Sequence, residues 1–300
     1  LVSLIIRKKL IIHSSTQLPI MKKHLALCLL LSLTAFGLSA QIETPAASPA
    51  AMVSQQVGLT KVTVEYSRPS VKGRKIFGNL VPFDKVWRTG ANKITTIKFD
   101  NDVMISGQKV PAGSYGWYTI PGKTQWTIIL NSDDKQWGAY AYDEKKDVIR
   151  FKVTPYKTAK AENMAIALEQ TSPNNLEVIL AWDKTAVKFA VSHDAHDQIM
   201  AEIKAKTAKA DCTTDTYFGA ADYYYEKNID LNQAAEWADK VVAKDKEYWT
   251  YQLRARIYAK LGNCEKAVAD AKVSLEMAQK AGDDSYVIKN QAILKQCGVK

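Results

Sequence analysis

The hydrophobic pattern of this 300-residue chain changes its period once, at His193, and that change limits what the chain can fold into. Before it, from Val57 to Ser192, apolar and polar residues alternate, as in Leu59-Thr60-Lys61-Val62-Thr63-Val64-Glu65-Tyr66. A period of two buries one face of a strand. Similar runs cover 93–99, 115–120, 125–131, 148–154, 164–170, 176–182 and 186–191. Turn-forming clusters separate them: Asn101-Asp102, Pro111-Ala112-Gly113, Pro121-Gly122-Lys123, Ser132-Asp133-Asp134 and Pro173-Asn174-Asn175. Asp183-Lys184 reads as a two-residue hairpin turn between the last two runs. Short strands with regular turn signals mean an antiparallel sandwich or barrel, and an antiparallel β-sandwich over residues 55–192 is the expectation. Trp117, Trp126 and Trp137, with Tyr115, Tyr118, Tyr140 and Tyr142, are expected to pack its core and edges.

From Ala195 onward the composition turns to Ala, Lys, Glu and Gln, which favour helix. Tyr225 and Ala234 recur 33 residues later as Tyr258 and Ala267, and Gly262 falls in the turn of the second copy. The pattern resembles the tetratricopeptide repeat, two antiparallel helices per ~34 residues with a small residue at their crossing. Residues 195–300 therefore read as two such units plus a capping helix, Asp283 to Gln296. In that arrangement Cys264 opens one helix and Cys297 closes its antiparallel neighbour. Both thiols then lie at one end of the pair, and a Cys264–Cys297 disulfide is expected. The alternative is two buried small hydrophobes.

The N-terminus reads as a targeting segment. Met21-Lys22-Lys23-His24 is a basic start, Leu25 to Phe36 an apolar run, and Leu38-Ser39-Ala40 a cut site, which together make a signal peptide over residues 21–40. Residues 1–20 read as an over-extended start. A second apolar anchor over Leu1–Ile12 is the alternative, and Arg7-Lys8-Lys9 interrupts it. Ala/Pro/Ser-rich residues 41–54 read as a linker. Cleavage would remove five basic residues and no acid, leaving a net charge of +5 from the original +10. That mild charge argues against nucleic acid as a partner. An exported chain, periplasmic or extracellular, with no stable membrane span after cleavage is the expectation. Its three cysteines then meet an oxidising compartment.

The segment from Tyr66 to Asn92 has too many breakers to be one helix or one strand. Its apolar residues (Ile76, Phe77, Leu80, Val81, Phe83, Val86, Trp87) nonetheless argue for order. Arg68, Lys72, Arg74 and Arg88 could converge on an anion or glycan there, with Trp87 as a stacking floor and Asn92 beside them. The alternative is that an arginine braces the loop by pairing with an acid such as Glu65, while Trp87 is core. Metal chemistry has thin support. His193 and His196, with Asp194 and Asp197, offer too few ligands, and the cluster reads better as a charged helix start. No nucleophile elbow and no phosphate loop is present. Asp84, Asp100, Asp102, Asp133, Asp134 and Asp143 are unsupported candidates for a carboxylate pair. No catalytic residue and no cofactor is assigned.

Tyr66-Ser67-Arg68-Pro69-Ser70-Val71-Lys72-Gly73-Arg74, Val86-Trp87-Arg88-Thr89-Gly90-Ala91-Asn92, Pro111-Ala112-Gly113 and Trp137-Gly138-Ala139-Tyr140 closely resemble domain-of-unknown-function family 2911, over about Val53 to Val191. That resemblance implies an exported bacterial protein, often continued by tetratricopeptide-like helices, and carries no established activity. The functional expectation is a non-enzymatic binding or scaffold protein. Its basic loop would take an anionic or glycan ligand, and its helical repeat a protein or peptide partner. A carboxylate-dependent hydrolase acting on envelope carbohydrate is the alternative.

Overall fold

The computed structural model describes residues 44–299; the segment read as a signal peptide and the residues before it lie outside the described residues. Every element below belongs to the unit that begins at Ala50. Ten strands come first: β1 (Ala50–Val57), β2 (Thr60–Ser67), β3 (Thr95–Phe99), β4 (Val103–Ile105), β5 (Gln108–Val110), β6 (Gly113–Ile120), β7 (Trp126–Asn131), β8 (Asp147–Val153), β9 (Tyr156–Ser172) and β10 (Asn175–Ser192). They form a six-stranded sheet, β1-β2-β3-β6-β7-β8, and a four-stranded sheet, β5-β4-β10-β9. Every pairing is antiparallel. Alternate residues of both sheets meet in one core, where Trp117, Trp126 and Trp182 are almost fully buried. The chain is thus an antiparallel β-sandwich followed by a short run of paired helices.

Three features of the sheets differ from the sequence expectation. Residues 50–54, read as linker, belong to β1, which pairs along its whole length with β2. Alanines give little strand signal of their own; the neighbouring backbone supplies the ladder. β4 and β5 form a short hairpin around Ser106-Gly107, both at positive φ. Asp183-Lys184 is not a hairpin turn. β10 runs through it as one strand, with Asp183 at φ 54° and register shifts on either side, so the site is a bulge. The true turn lies at Pro173-Asn174, between β9 and β10. A bulge and a tight turn both draw on polar residues that tolerate left-handed backbone, which is why the sequence confuses them.

Six helices follow: α1 (His196–Thr207), α2 (Thr214–Lys227), α3 (Leu231–Lys244), α4 (Tyr248–Lys260), α5 (Cys264–Ala281) and α6 (Asp284–Gln296). Side chains cap several of them: Thr213 at α2, Asp230 at α3, Asn263 at α5 and Asp283 at α6. Each satisfies backbone N–H groups that have no partner within the helix. α2 packs on α3, α4 on α5, and α5 on α6, while α4 also meets α3 and α6. The crossings are built on alanine: Ala221, Ala234, Ala255, Ala267 and Ala271 are fully buried. Arg254 of α4 ties three helices together. It donates two 2.7 Å hydrogen bonds to Asp270 of α5 and one of 2.9 Å to Asp239 of α3. Cys264 and Cys297 form a disulfide, with Cα atoms 5.3 Å apart, and Cys212 is free. No helix among the described residues is long and apolar enough to cross a membrane.

Candidate ligand-binding site

The basic loop is ordered by its own backbone and by β9. Val71 N donates to Glu162 O at 2.7 Å, and Met164 N donates to Pro69 O at 2.9 Å, so Pro69–Val71 adds a short strand to the edge of β9. Lys72-Gly73 then turns with φ of 46° and 71°. Further on, Trp87 pairs with Thr119 of β6 through two backbone hydrogen bonds, of 2.8 and 2.9 Å. Exposed strand edges invite foreign pairing, and this excursion covers part of one.

Two of its arginines are engaged with backbone carbonyls. Arg68 Nε donates to Met164 O at 3.0 Å. Arg74 folds back on its own turn, Nε to Val71 O at 3.0 Å and Nη2 to Ser70 O at 2.5 Å. Lys72 places its backbone N–H on Glu162 at 2.8 Å and is exposed. Trp87 is 8% exposed, stacks on Trp182 at 5.9 Å and donates from Nε1 to Gly90 O at 3.1 Å. It is therefore core, not a stacking floor for a ligand. Arg88 is half-buried, with a buried Nε that has no partner, and Glu65 does not pair with it. Asn92 Nδ2 donates to Ser67 Oγ at 3.4 Å. Arg74 answers carbonyls of its own turn and Arg68 a carbonyl of β9, and both guanidinium groups so brace the loop.

The open site lies beside the end of the loop, on the solvent face of the six-stranded sheet. It is a cleft of about 770 Å³. Its floor is set by register. Met52, Glu65, Thr96 and Gly116 form one row across β1, β2, β3 and β6, and Ser54, Thr63, Lys98 and Ser114 form the next. Neighbouring strands lie ~4.8 Å apart, so each row spans about 14 Å. The far wall is the segment after β7. A Cβ at Gly116 would come within 2.6 Å of Asp133 O, so the missing side chain lets that segment cross the sheet and bring Asp134 and Lys135 to the cleft. Lys93 completes the rim.

The charges of the cleft are mostly uncommitted. Lys98 pairs with Asp100 at 3.3 Å, and Asp133, just outside, is held by Lys146 at 2.9 Å. That lysine and the Gln136 amide keep the Asp133 carboxyl below its ordinary range. No ion pair among the described residues involves Glu65, Lys93, Asp134 or Lys135. The wall itself is stiffened from behind. Tyr142 donates to Asp147 at 2.6 Å and accepts from Arg150 at 2.8 Å, and its ring meets Tyr118 edge-on. Burial, aided by Asp133 and Asp147, raises the Tyr118 hydroxyl to about 12.

Beyond the cleft, Trp137 and Tyr140 are 63% and 92% exposed, which corrects their reading as sandwich packing. They sit on the turn between β7 and β8, not on a strand. His193 bonds Asp102 O at 2.8 Å and His196 bonds the Tyr223 hydroxyl at 2.8 Å. No group of three or more His, Cys, Asp or Glu placed to hold a metal ion occurs among the described residues.

Residues 48–191 match the family model described as "Protein of unknown function (DUF2911)". The match spans the sandwich, including the loop and the whole cleft, and ends before α1. No curated protein and no solved structure matches the chain.

Proposed function

We propose that the chain is an exported binding protein whose sandwich takes a small polar ligand in the cleft and whose helices receive a protein or peptide partner. The observation that carries the first part is the cleft itself. Its volume falls in the range of small-molecule sites, and of the three lysines and two carboxylates that line it only Lys98 is in an ion pair among the described residues. Unpaired donors and acceptors on the floor, wall and rim are ready to bond a ligand without first breaking internal ion pairs. The ligand reading thus moves from the loop arginines to the adjoining sheet face.

Export is supported by the leader pattern and by the Cys264–Cys297 disulfide, which suits an oxidising compartment. The tetratricopeptide reading is supported by the 33-residue recurrence, with Ala234 and Ala267 both fully buried. A cavity of about 720 Å³ between α1, α2 and α3, lined among others by Met200, Ile203, Ile229 and Trp237, is where a peptide partner would seat.

Glu65 and Asp134 also supply two carboxylates to one cleft, as the hydrolytic alternative needs. A hydrolase must hold one acid protonated near neutrality, and burial is the usual means. Glu65 is exposed and Asp134 only half-buried, so binding is the better reading. The test is calorimetric titration of the full chain with a panel of soluble oligosaccharides and small organic anions. The double variant Lys93→Ala, Lys135→Ala should weaken whatever binds by about tenfold or more. Unchanged affinity in that variant removes the ligand from the cleft.

A further inference from the structure

Trp137 and Tyr140 are the most exposed aromatic side chains among the described residues, and both sit on one turn. Large aromatics seldom stand in water without a partner, because each leaves a broad apolar face unburied. Their place next to the cleft is fixed by backbone. Ile94 N donates to Gln136 O at 3.0 Å and Gly138 N donates to Asn92 O at 3.3 Å, which sets Lys93 opposite Trp137 in a non-hydrogen-bonded antiparallel pair. Side chains of such a pair project to the same face and lie close together. The Cβ atoms of Trp137 and Lys93 are therefore neighbours, and Lys93 is a residue of the rim. Tyr140 lies across Gly138, where a Cβ would come within 2.6 Å of its ring, so the turn holds the two aromatics in a defined relation.

We infer that the cleft ligand is a neutral or sparsely charged pyranose oligosaccharide, with one ring in the cleft and the next stacked on Trp137 towards Tyr140. This inference rests on the cleft reading given above and adds the ligand class. Sugar hydroxyls both donate and accept. They are matched by the mixed set facing the cleft, with Glu65 and Asp134 as acceptors, Lys93 and Lys135 as donors, and Thr63, Ser67, Thr96 and Ser114 able to do either. The apolar C–H face of a pyranose ring suits the exposed indole. A polyanion gains little over a neutral chain, because Glu65 and Asp134 oppose it beside the lysines that would attract it.

The test uses the full chain and three probes: chitotriose, cellotriose and polygalacturonate, each followed by calorimetry and by tryptophan fluorescence. At least one neutral trisaccharide should bind saturably and shift the emission. Trp137→Ala should weaken that binding about tenfold or more, whereas Trp137→Phe should keep most of it. Both variants should melt with the parent chain, since the indole is exposed. Binding of polygalacturonate alone, or of none of the three, overturns the inference. So does binding that falls in the Lys93→Ala, Lys135→Ala variant yet is unchanged in Trp137→Ala. That last result, or binding of polygalacturonate alone that falls in the lysine variant, leaves the cleft reading standing.

Discussion

Trp87→Ala is expected to lower the stability of the chain by about 3–5 kcal/mol, the range for removing a buried large aromatic. The side chain is 8% exposed. It stacks on Trp182 with ring centroids 5.9 Å apart and meets Phe77 edge-on at 6.1 Å. Its Nε1 donor to Gly90 O also fixes the turn that leads into β3. Truncation leaves a cavity between the two sheets and an unanswered carbonyl at the turn. The measurement is the urea midpoint of the full chain, followed by near-ultraviolet circular dichroism. Trp87→Phe should recover part of the loss, because it keeps an apolar ring but not the N–H. A ligand-facing tryptophan would behave otherwise. Its removal would leave the stability within about 0.5 kcal/mol and lower only ligand affinity, as is expected of Trp137.

Removing the disulfide should have a comparable effect on the helices. Cys264 and Cys297 are 33 residues apart in sequence. In the chain-entropy account a crosslink closing a loop of that size contributes about 3–4 kcal/mol by restricting the unfolded chain. The bond joins the start of α5 to the residue after α6, so its loss frees the capping helix first. Cys264→Ser, Cys297→Ser should melt earlier by ellipticity at 222 nm, and the sandwich core, a separate cluster, should hold. Cys212→Ser serves as the control, since that thiol has no disulfide partner. Equal melting of the double variant and the parent would mean that α6 is held by packing alone. Tyr286 against Tyr248 at 5.0 Å and the buried Asn290–Ser274 hydrogen bond of 2.7 Å are what would then suffice.

The sandwich was legible because strands such as β2 and β3 bury one face and wet the other, although β7 is buried on both. Val62, Val64, Ile97, Phe99, Ile128 and Leu130 mark their inward positions by hydrophobicity alone. β1 was not legible, because Ala50-Ala51 has no strand preference of its own, and Asp183 deceived because a bulge and a turn share the same backbone requirement. The loop was legible as ordered but not as to purpose. Which acceptor a guanidinium finds is decided by folded geometry, and for Arg68 it is Met164 O, 96 residues away in sequence. The cleft was hidden for a related reason. Thr63, Glu65, Thr96, Lys98 and Ser114 occupy ordinary outward positions, and only register gathers them. One signal was available. A glycine inside a strand, Gly116, marks a place where another piece of backbone comes close, and here that backbone carries the wall of the site.

Hydrogen–deuterium exchange of the full chain, with and without the tightest-binding neutral trisaccharide, tests the central claim most directly. The predicted result is that amides of the loop at Val71 and Trp87 are already protected in the free protein and do not change. The added protection should fall on residues 63–67, 93–98 and 133–138. Ligand-induced protection confined to residues 68–88, or to the helices, would contradict the placement of the site on the sheet face.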